Sequence, residues 1–122
     1  MIARIFATTA ALALLLSPTV VLAHAFLDHS DPAVGSTVPT SPGVMHLWFT
    51  QQLEPAFSTV TVTDQSGATV NGAPAAIDPG NRSELDVNLK QLPPGTYKVK
   101  WHVLSVDTHT TQGDYVFHVG KG

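Results

Sequence analysis

Five stretches of the chain alternate apolar and polar residues with period two, and none sustains a helical period. Residues 44–49 set Met45, Leu47 and Phe49 against Val44, His46 and Trp48. Residues 59–63 set Val60 and Val62 against Thr59, Thr61 and Thr63, a β-branched run suited to a pleated surface. Leu85, Val87 and Leu89 alternate with Asp86 and Asn88, and Tyr97, Val99, Trp101 and Val103 with Lys98, Lys100 and His102. The last row places Tyr115, Phe117 and Val119 on one face and His118 on the other. Each row predicts a strand with one buried face.

Turn chemistry separates the rows. Gln65-Ser66-Gly67, Asp78-Pro79-Gly80-Asn81 and Pro93-Pro94-Gly95 favour chain reversal. The segments 31–36 and 41–43 are extended and loop-like. Residues 68–83 form a polar, small-residue connection with room for one further edge strand. Short strands at this spacing, with no helix between them, predict an all-β antiparallel sandwich or barrel. There is no internal repeat and no linker to a second domain.

Residues 1–23 stand apart from this pattern. Arg4 is a short positive region, residues 5–16 are apolar, and Pro18 ends the run. Val21-Leu22-Ala23 then offers small residues for a signal peptidase. An apolar run of a dozen residues is short of the roughly 20 that span a bilayer. The pattern predicts a signal peptide cleaved after Ala23 and a mature domain, residues 24–122, working outside the cytoplasm without membrane insertion.

Composition narrows the chemistry. The whole chain has 122 residues, 43% hydrophobic, with a formal charge of -3. Loss of Arg4 with the signal leaves five basic and nine acidic residues, or -4. That balance lacks the basic footprint of a nucleic-acid binder. With no cysteine, a disulfide scaffold, a thiolate zinc site and a cysteine nucleophile are excluded. Six histidines are left as strong nitrogen donors.

Cleavage after Ala23 would make His24 the first residue. Its α-amine and imidazole Nδ1 could then close one chelate ring, and two nitrogens near right angles suit tetragonal Cu(II). Asp107-Thr108-His109 is the second element. On extended backbone, residues i and i+2 project to one side, which would bring a carboxylate oxygen and an imidazole together. An Asp-x-His triplet by itself fits equally well a turn aspartate beside a surface histidine. His102 shares a face with two lysines and reads as solvated. His46 and His118 lie opposite apolar rows and read as solvated or hydrogen-bonded, while His29 has the wrong strand phase for His24. Once Met1 is lost, Met45 is the remaining methionine, and its alternation with Leu47 and Phe49 assigns it to the core. A soft Cu(I) site therefore has no ligands.

Taken in order, these residues resemble the CopC-like periplasmic copper-binding proteins. His24-Ala25 followed by Ser30-Asp31-Pro32-Ala33-Val34-Gly35-Ser36 is similar to the family's opening. Leu47-Trp48-Phe49-Thr50 and Phe57-Ser58 match its next two segments. The run from Pro94-Gly95-Thr96-Tyr97 through Trp101 to Ser105, Asp107 and His109 resembles its longest signature. The resemblance implies an immunoglobulin-like Greek-key sandwich of seven to eight strands. It also implies one Cu(II) per mature chain on His24, Asp107 and His109, in a monomeric carrier or buffer serving copper homeostasis and resistance. An inner-membrane protein of the CopD type is the implied partner. Two features depart from the family pattern: residues 63–79 contain no methionine, and Gln51 stands where many members are acidic. Two other classes compete with the carrier. A copper polysaccharide monooxygenase would also use an N-terminal histidine, and it would reveal itself by copper-dependent oxidation of chitin or cellulose. A metal-free adhesion or assembly sandwich would show no tight copper binding.

Overall fold

Alternation becomes architecture because each apolar row needs a second apolar face to cover it. The computed structural model describes residues 25–120, so the expected signal peptide, residues 1–23, and His24 lie outside the described residues. The strands are β1 (Leu27–Asp31), β2 (Thr37–Val38), β3 (Val44–Phe49), β4 (Thr59–Thr63), β5 (Ala76–Asp78), β6 (Asn81–Asn88), β7 (Gly95–Leu104) and β8 (Thr110–Val119). One 3-10 turn, Pro55–Phe57, is the single helical element among the described residues. No helix among them is long and apolar enough to cross a membrane.

Two four-stranded sheets form, in the orders β1-β3-β6-β5 and β2-β8-β7-β4. Hairpins join β5 to β6 and β7 to β8, whereas the other five connections cross between sheets, as in Greek-key sandwiches. The fold is therefore all-β and immunoglobulin-like in outline. Its pairings are antiparallel except for β2, which runs parallel to β8. Met45, Leu47 and Phe49 face Val60, Val62, Val99, Val103 and Phe117 across the core.

Packing is tight at Trp101. Its ring meets Phe49 edge-on at a centroid distance of 5.3 Å, and the residue paired with it on β8 is Gly113. A Cβ there would lie 2.6 Å from Cζ2 of the indole. Glycine leaves the space the ring fills.

Three strands differ from the expected pattern. Leu27–Asp31 is a strand although only Ser30 within it is buried. β6 also starts four residues before its apolar row, at Asn81, and β8 five residues before its own, at Thr110. The edge strand expected within 68–83 is β5. Along β4, residues 68–71 fold over the open edge: Val70 N–H donates to the Val62 carbonyl, and Asn71 Oδ1 accepts from Val62 N–H. The Asn71 amide also donates to the Val60 carbonyl.

Candidate metal-binding site

The loop between β7 and β8 is short and fastened at its base. Ser105 N–H donates to the His109 carbonyl at 3.0 Å, and Thr108 N–H to the Ser105 carbonyl at 2.9 Å. Thr108 adopts φ 72°, a left-handed conformation unusual for a β-branched residue. This reversal, rather than an extended strand, brings Asp107 and His109 together. Asp107 Oδ1 and His109 Nδ1 are 3.4 Å apart. Two donors on one ion with bonds of about 2 Å are separated by about 2.8 Å at right angles and about 4 Å when opposed. The observed spacing falls within that range.

The carboxylate is held ready. Ser105 is buried, and its hydroxyl donates to Asp107 Oδ1. That bond, with a smaller contribution from His109, holds the Asp107 carboxyl below its ordinary value. Asp107 is therefore an anion at neutral pH. Both side chains remain open to solvent, Asp107 at 36% and His109 at 54%.

The described chain begins beside this loop. Ala25 is fully buried, and its carbonyl accepts a hydrogen bond from the Thr111 hydroxyl, two residues beyond His109. Phe26 and Thr50 exchange two bonds, each of 2.9 Å. The other histidines point elsewhere. His102 is exposed, and His118 Nδ1 bonds Thr96 Oγ1 at 2.9 Å. His29 stacks on Trp48 at 4.3 Å, on the outer face of the first sheet.

The CopC domain profile matches residues 27–120, nearly the whole described chain. This chain belongs to the CopC family. Protein YobA of Escherichia coli K12 is 39% identical over 106 residues, covering 86% of this chain and 85% of YobA. The crystal structure of CopC from Methylosinus trichosporium OB3b superposes with a TM-score of 0.74 at 34% identity, over 79% of this chain and 93% of that one. The structure of PcoC, a methionine-rich copper resistance protein from E. coli, gives a TM-score of 0.70 at 32% identity, over 80% and 99% of the two chains.

This CopC domain carries a second polar cluster that sequence reasoning passed over. His46 on β3 is paired in register with Asp86 on β6, and Trp48 with Glu84. His46 Nδ1 lies 2.8 Å from Asp86 Oδ1 and 2.9 Å from Glu84 Oε2. Trp48 Nε1–H donates to Glu84 Oε1 at 2.8 Å. The available signal was one of phase: His46, Glu84 and Asp86 all lie opposite their strands' apolar rows. What a single sequence lacks is the pairing of β3 with β6.

Burial, followed by the contact with Glu84, pushes the Asp86 carboxyl up to about 6. The Asp86 hydrogen bond, partly offset by burial, raises the His46 imidazole. Both shifts mean that the folded state binds protons more tightly than the unfolded one. The Asp86 contribution is lost as pH climbs from 3.8 through about 6, and that of His46 above 6.5. With chelator present, Asp86→Asn is therefore expected to gain stability relative to the parent as pH rises from 4 to 7. The gain should be on the order of 1 kcal/mol. Urea unfolding at the two pH values measures it, and a constant difference would contradict this assignment.

Proposed function

We propose that this chain is a periplasmic Cu(II) carrier or buffer in copper homeostasis and resistance. In this reading a signal peptidase cuts after Ala23, and the new N-terminus supplies the His24 amine and imidazole. Asp107 and His109 complete a set of three nitrogens and one oxygen, suited to tetragonal Cu(II). The observation that carries the proposal is the 3.4 Å approach of Asp107 Oδ1 to His109 Nδ1 within a CopC domain. Two further findings support it. Ala25 is tied to Thr111, close in sequence to His109, and the structural relative PcoC is named a copper resistance protein.

The residues' own tasks follow from their chemistry. Ser105 keeps Asp107 ionised and oriented, so the oxygen donor needs no deprotonation on loading. Solvent exposure of Asp107 and His109 allows an ion to be handed on by ligand exchange, and an inner-membrane protein of the CopD type is the proposed recipient. With the coordination plane filled by protein donors, the role is carriage by a monomer rather than catalysis.

The test is a Cu(II) titration of the chain beginning at His24, followed by electron paramagnetic resonance. One equivalent with a tetragonal spectrum is expected, and Asp107→Asn should weaken binding by roughly tenfold. Absence of tight binding, or a second equivalent of equal strength, would remove the reading. The mass of the exported protein tests the cleavage.

A further inference from the structure

The outer face of the β1-β3-β6-β5 sheet gathers negative charge that no permanent cation among the described residues pairs with. Glu84 and Asp86 stand two apart on β6, so both project to this face. Glu84 is largely buried there, its side chain 11% exposed. The Glu84 carboxyl and that of Asp78, on the neighbouring edge strand β5, both act to raise the Asp86 carboxyl. Arg82 follows the same face of β6, yet no Lys or Arg among the described residues pairs with any of these acids. The basic partner is the single imidazole of His46.

One proton cannot satisfy this arrangement. His46 Nδ1, Glu84 Oε2 and Asp86 Oδ1 converge so closely that all lie within 4.8 Å of one another. A neutral imidazole places at most one N–H at Nδ1, shared between two carboxylates at 2.8 and 2.9 Å. The two carboxylates repel each other, and Asp78 adds a third. A divalent cation in the same place would accept a lone pair from each group and offset two negative charges. Tetrahedral zinc with bonds of about 2.0–2.1 Å holds its donors about 3.3 Å apart. The two imidazole–carboxylate spacings, 2.8 and 2.9 Å, need to open by only about half an ångström.

The surroundings would orient such a ligand set. Trp48 fixes the second oxygen of Glu84 and stacks with the His46 ring at 5.6 Å and with that of His29 at 4.3 Å. Hydrogen-bonded carboxylates and confined imidazoles are what first-row ions require of their supports. We propose that His46, Glu84 and Asp86 form a second metal site, distinct from the Asp107–His109 loop, that takes a zinc-class divalent ion. One imidazole and two carboxylates suit Zn(II), and the absence of sulfur ligands excludes Cu(I).

The Trp48 indole N–H is bonded to one proposed ligand, so its amide-type resonance reports on the site directly. Zn(II) titrated into isotope-labelled protein is expected to shift that resonance and those of residues 46, 84 and 86, saturating at one equivalent. Asp86→Asn should weaken this response by roughly tenfold or more while keeping the Trp48 contact. Glu84→Gln, which preserves an acceptor for the indole, should do the same. The proposal is overturned if Trp48 stays unmoved at millimolar Zn(II), or if shifts are confined to residues 105–109. It is also overturned if the response survives Asp86→Asn unchanged. Because the first reading uses the unaltered protein, a variant that fails to fold leaves the test intact.

Discussion

One extra residue in front of His24 is expected to weaken Cu(II) binding by at least about a hundredfold. The addition leaves every side chain in place and alters a single nitrogen. A terminal amine near pKa 8 gives up its proton to a metal at modest cost. An amide nitrogen has no such lone pair to offer, and the chelate ring with the imidazole opens. Asp107 and His109 would then hold the ion with a detached His24 ring, too few anchored donors for tight binding. A competition titration against a chelator of known affinity measures the loss. His109→Ala should produce a drop of similar size, whereas an extension combined with that variant should add little further. Equal affinity with and without the extra residue would place the copper elsewhere.

Gly113→Val is expected to destabilise the domain by about 3 kcal/mol, at the upper end of the overpacking range. The position is paired with Trp101 on the adjoining strand. A Cβ would sit 2.6 Å from Cζ2, 2.9 Å from Cε2 and 3.2 Å from Nε1 of the indole. A flexible side chain could swing aside, but a rigid ring held edge-on by Phe49 cannot do so without opening the core. The midpoint of thermal unfolding should fall by roughly 10 °C or more for a domain of this size. Trp101→Phe in the same chain should recover part of the loss, because the smaller ring vacates the contact. A change below about 0.5 kcal/mol would mean that the indole has another place to go.

The strands that carry large apolar side chains on alternate positions were legible at once. β3, β4 and β7 coincide with their rows because burial on one face is what holds them in register. β1 was hidden for the opposite reason: its sequence Leu-Asp-His-Ser-Asp contributes little to the core, and backbone pairing with β3 makes it a strand. The polar first halves of β6 and β8 were hidden likewise. Asp107 and His109 were singled out for the right proximity through the wrong backbone. The alternation rule supposed an extended chain, whereas a left-handed Thr108 makes the turn. The pairing of His46 with Glu84 and Asp86 was out of reach, since partners 38 and 40 residues away meet only when two strands align.

The clasp along β4 has a wider consequence. A threonine-valine strand at a sheet margin is a template onto which another chain can crystallise its backbone. Here the carboxamide of Asn71 imitates a peptide group, giving Val62 its acceptor and Val60 its donor. Val70 fills the remaining position. The molecule thus carries a counterfeit neighbour, and its margin is already spoken for when copies meet at high concentration.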